Sequence, residues 1–145
     1  MQPYQIKGFT LLEMLVVIMI IAFMTTLVGV NLRGKQSTDL ESLGRTLIAD
    51  LRYVRSKALV GSADTAITVD VSGSNYFSQD AAISRSIPQD VSIVITVDEK
   101  DIVGTRGKIV FYPDGSSSGG KIKFIKDGRE LEVVTTWLNG YVTMR

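Results

Sequence analysis

Glu13 is the only charged residue in a long apolar segment near the start of this 145-residue chain. The segment covers residues 9–30 and reads FTLLEMLVVIMIIAFMTTLVGV. A charge at the centre of a bilayer costs on the order of 2.5–3.5 kcal/mol, and Glu13, nearer one end, still needs a partner. Two interpretations are open: a charge tolerated at the membrane edge, or a counter-ion for a positive group at the same depth. Cleavage after Gly8 would create such a group, the α-amino group of Phe9.

Other chemistry has little support in the composition. The chain has no His and no Cys, so it lacks the commonest general base and metal ligand as well as all thiol chemistry. Ser116–Ser118 therefore have no His to activate them. A catalytic pair with Lys121 or Lys123 is conceivable, but lysines at solvated positions of a strand normally have no such role. The acidic loop at residues 98–101 is typical of a solvated surface. We expect no catalysis, no cofactor and no metal site.

One glycine-rich stretch comes close to a phosphate-binding loop. Residues 115–121 read GSSSGGK, which satisfies GxxxxGK. The next residue is Ile122 rather than Ser or Thr, so the magnesium ligand is missing. The pattern that follows, IKFIK, predicts a strand, which offers no helix N-terminus to a phosphate. We interpret Pro113-Asp114-Gly115 and the serines and glycines after it as a hairpin connection.

Charge is distributed unevenly along the chain. A total of 16 Lys and Arg against 15 Asp and Glu leaves a net charge of +1, which argues against a generally basic nucleic-acid-binding protein. Residues 1–32 contain only Lys7 and Glu13 as charged residues. The mean hydropathy of +0.19 is therefore the average of an apolar segment and a polar domain. The length suits one folded domain.

The apolar segment is long enough to span a membrane. As a helix it extends for about 33 Å at roughly 1.5 Å per residue, and the hydrocarbon core of a bilayer is about 30 Å thick. Secretory signal peptides have a shorter apolar run, of about 7–15 residues, followed by a small-x-small cleavage site, and Ala22-Phe23-Met24 is not such a site. We predict a membrane segment over residues 9–30. Its apolar residues include Phe9, Leu12, Leu15, Val17, Ile20, Phe23, Leu27 and Val30.

The start of the chain resembles the class III leader of type IV pilins and type II secretion pseudopilins. The resemblance rests on GFTLLEMLVVIMIIAFM, in which Gly, Phe and Glu hold the family's spacing. It implies that prepilin peptidase removes residues 1–8 by cleaving after Gly8, and that the same enzyme N-methylates Phe9. Glu13 would be the fifth mature residue, which in the family pairs with a neighbour's terminal amine during assembly. Removal of the leader leaves 137 of the 145 residues.

A further helical stretch is predicted within residues 31–61. Apolar residues recur there at steps of three and four, which defines one face of a helix. Charged residues, Asp50 among them, occupy the other faces. Gly34 and Gly44 weaken the helix by up to about 1 kcal/mol each relative to Ala, and Gly61 ends it. The apolar face consists of Leu40, Leu43, Leu47, Leu51, Val54 and Ala58.

Residues 62–145 have the pattern of a β-rich domain. Short β-branched and aromatic runs alternate with turn residues, and Asp127-Gly128 and Asn139-Gly140 are hairpin signals. Alternating rows at residues 109–111, 122–124 and 131–137, the last ending at Trp137, predict one antiparallel sheet with a face for the helix. Residues 72–107 are less readable. The candidate strands are Ala66–Val71, Tyr76–Phe77, Val91–Val97, Lys108–Tyr112, Lys121–Ile125, Glu130–Trp137 and Tyr141–Met144.

A second resemblance lies in this domain. The sequence matches the F-x-P-D-G-x-x-x-G-G-x-I signature of the minor pseudopilin H group at Phe111, Pro113, Asp114, Gly115, Gly119 and Gly120. Its end, VVTTWLNGYV, resembles the closing hairpin of that group. The resemblance implies an α+β, pilin-like fold. A long N-terminal helix, with a transmembrane half at 9–30 and an amphipathic half at 31–61, would pack on a two-sheet head at 62–145.

The same resemblance implies a structural protein rather than an enzyme. The chain would be a minor pseudopilin near the tip of the periplasmic pseudopilus of type II secretion. It would cross the bacterial inner membrane once, with its N-terminus in the cytoplasm. The expected partners are prepilin peptidase, the major pseudopilin, other minor pseudopilins and the inner-membrane assembly platform.

The sequence leaves two alternatives open. A minor type IV pilin involved in pilus initiation or DNA uptake would carry the same leader. Its DNA-binding relatives, however, have a C-terminal Gly-Arg-x-Arg stretch, whereas residues 140–143 read GYVT here. Because phosphate contacts require clustered bases, nucleic-acid binding is not expected. The other alternative, a tethered periplasmic domain without a fibre, predicts an uncleaved N-terminus.

Overall fold

The computed structural model describes residues 9–32 and 40–145, with side chains described for residues 9–23 and from residue 40 onward. The chain divides into two compact units, Met1–Ser37 and Thr38–Arg145. The predicted leader, Gly8 and Gly34 lie outside the described residues.

The described residues of the first unit, 9–32, include the helix α1 (Leu11–Leu32). The side chains of residues 9–23 are all exposed in this single chain. Within the described parts of the chain, no helix is both long enough and apolar enough to cross a membrane. The membrane segment over residues 9–30 stays a prediction.

The second unit begins with helix α2 (Leu40–Gly61). Its apolar face is confirmed, because every predicted position on it is buried or half-buried. Asp50 was expected on a solvated face and is instead buried, since it meets polar groups of two strands. Gly44 is buried as well: a Cβ there would lie 2.6 Å from Leu131 Cδ2 and 2.9 Å from Met144 Sδ. This glycine lets the helix backbone approach the strands that carry Leu131 and Met144.

Nine strands follow α2 in two antiparallel sheets, with a short 3-10 helix at Glu99–Asp101. The first sheet has the order β3-β2-β1-β6-β5 and the second β4-β7-β8-β9. All seven predicted strands are present, with shifted ends. The sequence did not predict two strands: Ser84–Ser86, whose residues are all polar, and Ile102–Val103, which has only two residues. The strands are β1 (Thr65–Asp70), β2 (Asn75–Ser78), β3 (Ser84–Ser86), β4 (Ser92–Thr96), β5 (Ile102–Val103), β6 (Arg106–Phe111), β7 (Gly120–Lys126), β8 (Arg129–Thr135) and β9 (Val142–Met144).

The two-sheet head implied by the family resemblance is confirmed. The alternating pattern alone wrongly placed β6 and β7 side by side in one sheet, so the predicted hairpin connection between them is wrong. Strand β6 pairs with β1, for example Ile67 opposite Ile109, whereas β7 pairs with β4 and β8. The connection at residues 112–119 therefore passes from one sheet to the other. Alternation indicates that a strand has one buried face, but it does not indicate which sheet the strand joins.

The two hairpin signals are confirmed. Asp127 and Gly128, with φ of 51° and 74°, join β7 to β8, and both residues adopt the positive φ that a tight type I′ turn requires. Strands β8 and β9 pair antiparallel, with Thr135 opposite Val142, across a connection that contains Gly140.

One hydrophobic core joins α2 to both sheets. Helix α2 contributes one row of side chains and each sheet contributes its inward row. Because every member lies between residues 40 and 142, the second unit has a complete core of its own. The largest fully buried side chains are Leu47, Leu51 and Val54 from α2, Ile67, Val69, Ile109 and Phe111 from the first sheet, and Ile122, Phe124, Val133 and Val142 from the second.

Two buried carboxylates connect this core to its edges. Asp50 Oδ2 accepts hydrogen bonds from the Tyr76 hydroxyl at 2.9 Å and from Arg85 Nε at 3.3 Å, which ties α2 to β2 and β3. Asp70 Oδ2 accepts from Arg106 Nε at 2.7 Å. The hydrogen bond from Arg106, followed by that from the Gly73 amide, holds the pKa of Asp70 well below its usual range.

Candidate processing and assembly site

Two of the predicted processing and assembly residues, Phe9 and Glu13, lie at the beginning of α1. The Glu13 amide donates to the Thr10 carbonyl at 3.0 Å and to Thr10 Oγ1 at 3.3 Å. Thr10 is thus the N-cap of the helix and Glu13 its third residue, the T-x-x-E spacing of a capping box. Phe9 and Thr10 precede the helix. Gly8, the other side of the predicted cleavage point, lies outside the described residues.

The position of Glu13 in the first turn has an electrostatic consequence. The unpaired amide groups at a helix N-terminus carry partial positive charge, which stabilises a nearby carboxylate by about 0.3–1 kcal/mol at exposed sites. The helix itself is therefore a weak partner for Glu13, and a free amine at Phe9 would add a full positive charge at the same end. Thr10 was missed in the sequence analysis, although its T-x-x-E spacing to Glu13 was a readable signal.

Apart from Glu13, the described side chains of α1 are apolar and exposed. Six of the predicted membrane-segment residues have described side chains, and all six are exposed: Phe9, Leu12, Leu15, Val17, Ile20 and Phe23. Leu27 and Val30 belong to α1, but their side chains lie outside the described set. An apolar surface of this extent marks a site of contact with a membrane or with other proteins.

The glycine-containing motif of the second unit forms the connection between β6 and β7. Phe111, at its start, is fully buried in the core. Asp114 Oδ1 accepts hydrogen bonds from the amide and the hydroxyl of Ser116, at 2.9 and 2.6 Å, and these bonds lower the pKa of Asp114. Arg55 Nε on α2 donates to the Gly115 carbonyl at 3.1 Å. The motif is therefore a well-ordered turn fastened to α2; Pro113 lies exposed on it.

The glycines of the motif allow close packing. Gly119 has φ of 74°, and a Cβ on it would lie 3.1 Å from Trp137 Cβ; a Cβ on Gly120 would lie 2.7 Å from Val97 Cγ1. The Ser117 amide donates to the Trp137 carbonyl at 2.9 Å. The structure thus brings together the two C-terminal patterns of the sequence, the glycine motif and the β8–β9 connection.

Trp137 corrects another expectation. The alternating row of β8 was expected to end at Trp137, but the strand ends at Thr135. The tryptophan lies in the β8–β9 connection and is 66% exposed. Leu138 and Tyr141 are exposed on the same connection, so this edge of the second unit carries unpartnered apolar surface.

The geometry offers little to catalysis or to phosphate binding. Gly120 and Lys121 begin β7, so a strand follows the glycine-rich stretch, as its sequence predicted. Lys123 Nζ lies 2.8 Å from Glu130 Oε2, and Ser117 Oγ donates to the Thr136 carbonyl at 3.1 Å. In the described parts of the chain, no group of His, Cys, Asp and Glu residues is arranged to hold a metal ion.

Comparison with known proteins identifies the family. The family model described as "Type II transport protein GspH" matches residues 43–139, about two thirds of the chain. The chain belongs to the GspH family. A second model, the prokaryotic N-terminal methylation motif, matches residues 5–29, the region that contains Gly8, Phe9 and Glu13. The predicted relationship to the minor pseudopilin H group is confirmed.

A curated relative supports the same assignment. Type II secretion system protein H of Xanthomonas campestris pv. campestris is 31% identical over 147 residues, covering 95% of this chain and 82% of the relative. This GspH chain is thus related to that protein over nearly its whole length. The family match and this relative favour a structural subunit of type II secretion over the alternative of a pilus or DNA-uptake pilin.

Solved structures support the fold. The minor pseudopilin EpsH of Vibrio cholerae has a TM-score of 0.58 at 10% identity, covering 72% of this chain and 94% of EpsH. The type IV minor pilin FimU of Pseudomonas aeruginosa has a TM-score of 0.56 at 11% identity, covering 72% of this chain and 91% of FimU. The predicted α+β, pilin-like fold of this GspH family member is confirmed.

Proposed function

We propose that this chain is a minor pseudopilin that is processed at Gly8–Phe9 and assembled near the tip of a periplasmic pseudopilus. The observation that carries the proposal is Glu13, a single carboxylate in the first turn of a helix whose other described surface is apolar. Such a carboxylate is unfavourable in an apolar environment unless a positive group meets it. Cleavage of the leader supplies that group.

Prepilin peptidase is the proposed processing enzyme. It would cleave between Gly8 and Phe9 and methylate the new amine of Phe9. The capping of α1 by Thr10 supports this assignment, because it leaves Phe9 and Thr10 outside the helix. A non-helical segment is the form in which a peptide bond is accessible to a protease.

Assembly would then pair Glu13 with the terminal amine of a neighbouring subunit. Two unit charges 4 Å apart attract by about 4 kcal/mol at an effective dielectric constant of 20. A lone charge at mid-bilayer costs about 2.5–3.5 kcal/mol and the amine carries a similar cost, so the attraction offsets a large part of the penalty for the two groups. The pair would therefore offset the penalty only when two subunits are in the correct register, which gives the fibre a way to select that register.

The proposed location follows from the same helix. Before assembly the apolar segment would hold the subunit in the bacterial inner membrane, crossing once, with the N-terminus in the cytoplasm and the second unit in the periplasm. The proposed partners are prepilin peptidase, the major pseudopilin, the other minor pseudopilins and the inner-membrane assembly platform. Neither an enzymatic activity nor a cofactor belongs to this proposal.

The test separates processing from assembly. Glu13→Ala is expected to leave leader cleavage intact, as shown by mass spectrometry, and to reduce recovery of the subunit in sheared pseudopili. Met14→Ala, which truncates the adjacent side chain without changing charge, is the matched control and should assemble normally. Normal assembly of Glu13→Ala would refute the counter-ion role. Gly8→Val should block cleavage, and a mature N-terminus at Phe9 in that variant would refute the cleavage site.

The alternative, a minor type IV pilin that takes up DNA, has a direct test. The positions that carry arginines in DNA-binding relatives are Gly140, Tyr141, Val142 and Thr143 here. We expect no salt-dependent gel shift of duplex DNA by residues 34–145. A shift that weakens steeply with salt would favour the DNA-uptake alternative.

A further inference from the structure

An open groove of about 490 Å³ lies where the β6–β7 and β8–β9 connections meet. Tyr112, Asp114 and Ser116 line it from the first connection, and Trp137 and Leu138 from the second. Lys100 also borders it, so the groove combines hydroxyl groups, one carboxylate and one ammonium group with a large aromatic ring. Ligand sites commonly combine apolar and aromatic surface with a few placed polar groups.

The backbone of Trp137 is held in place, and its side chain extends into solvent. Its carbonyl accepts the Ser117 amide at 2.9 Å, and Gly119 packs so closely that a Cβ would lie 3.1 Å from Trp137 Cβ. The residue is nonetheless 66% exposed. An exposed indole on a held backbone is a flat apolar platform, so only its two side-chain torsions need to be ordered when a ligand binds.

The polar side of the groove is also fixed before binding. Both hydrogen bonds from Ser116 go to Oδ1 of Asp114, so the carboxylate is oriented and its Oδ2 faces no donor among the described bonds. The same bonds lower the pKa of Asp114, which keeps the group ionised at neutral pH. An ionised carboxylate is a strong acceptor for ligand hydroxyl groups.

These features restrict the chemistry of the ligand. Asp114 and Lys100 give the groove one charge of each sign, so its net charge favours neither an anion nor a cation. A purely apolar segment would leave the carboxylate and hydroxyl groups desolvated without partners, which is costly. A neutral sugar ring has an apolar C–H face, which can stack on an indole, and rim hydroxyls, which can donate to a carboxylate. We propose that this groove binds a neutral saccharide, stacked on Trp137 and hydrogen-bonded to Asp114.

A second groove indicates that the ligand can be longer than one sugar. It has a volume of about 470 Å³ and shares Trp137 and Ser118 with the first. Val97, Gly120 and Val134 also line it. Because Trp137 borders both grooves, an oligosaccharide can continue past the indole from one to the other. The proposal is independent of cleavage at Gly8 and of fibre assembly.

The test uses the full chain in a phosphocholine detergent, which has no sugar headgroup. Trp137 is the only tryptophan, so its fluorescence reports directly on the groove. Chitotetraose, cellotetraose and maltotetraose are titrated separately. We expect a saturable change in emission with at least one of them. No change with any of the three up to about 10 mM would overturn the proposal.

Variants locate the site by calorimetry with the tetrasaccharide that binds. Trp137→Ala and Asp114→Asn should each weaken binding by about tenfold, or about 1.4 kcal/mol. Tyr141→Ala removes another exposed aromatic side chain from the same connection and should leave the affinity unchanged. Trp137→Phe retains a smaller ring and should bind more tightly than Trp137→Ala. An equal loss in Tyr141→Ala and Trp137→Ala would overturn the assignment.

Discussion

The buried contact between Asp50 and Tyr76 allows a quantitative test of how the second unit is held together. The Tyr76 hydroxyl donates to Asp50 Oδ2 at 2.9 Å, and Tyr76 is only 3% exposed. Burial, followed by the hydrogen bond to Asp50, raises the pKa of Tyr76, so the hydroxyl remains a donor at all ordinary pH values. Asp50→Ala removes the acceptor, Tyr76→Phe removes the donor, and the double variant removes both.

The expected magnitude follows from what each variant leaves unpaired. Asp50→Ala leaves a buried hydroxyl without a partner, which costs about 1–3 kcal/mol in the free energy of unfolding. Tyr76→Phe leaves a buried carboxylate with only the bond from Arg85, at a cost of about 1.5–3 kcal/mol. The double variant leaves neither group unpaired. We therefore expect the double variant to lose about 1–2 kcal/mol less in the free energy of unfolding than the two single variants lose together.

The measurement is urea unfolding of Thr38–Arg145, followed by circular dichroism, for the wild type and the three variants. Ala favours the helix more than Asp does at position 50. This effect is present in both the single Asp50→Ala variant and the double variant, so it cancels when the coupling between the two substitutions is calculated. Arg85→Ala is the control: its ion pair with Asp50 is half-exposed and should contribute at most about 1 kcal/mol. A coupling energy within about 0.5 kcal/mol of zero would refute the argument.

Two further predictions concern the same unit. The pKa of Asp70 is lowered in the fold, mainly by Arg106, so its stabilising effect is present above the unfolded pKa of about 3.9 and is lost as the pH falls below it. The melting temperature should therefore fall less on acidification in Asp70→Asn than in the wild type, and equal losses would contradict this. Gly140, at φ of 60°, would place a Cβ 2.6 Å from the Gly115 carbonyl oxygen, so Gly140→Ala should destabilise by roughly 2–4 kcal/mol in urea unfolding. Gly128→Ala, at φ of 74° in open space, should cost only about 1–2 kcal/mol, and equal costs would contradict the clash.

Local patterns in the sequence predicted much of the secondary structure and the chemistry at the N-terminus. The steps of three and four from Leu40 to Ala58 place one face of a helix in the core, because the period of a helix decides which side chains share a face. Asp127-Gly128 predicts a turn since few residue pairs tolerate positive φ. The family relationship, too, was readable from residues close together in the chain, such as Gly8, Phe9 and Glu13.

Contacts between distant residues were decided only by the tertiary structure. Strands β6 and β7 have equivalent alternating patterns, yet they join different sheets, because the choice of partner depends on how two layers close over α2. Asp50 is charged but buried, since Tyr76 and Arg85 reach it from strands 26 and 35 residues away.

The same distinction applies to the candidate sites. The residues of the proposed processing site are neighbours in the chain, so a local motif that resembles a known leader was enough to predict them. The groove at Trp137 instead depends on the contact between two connections, and the pattern of β8 wrongly placed that residue in a strand. Side-chain period and turn preference are local properties that a sequence displays, whereas the pairing of surfaces depends on which distant residues can fill the space between them.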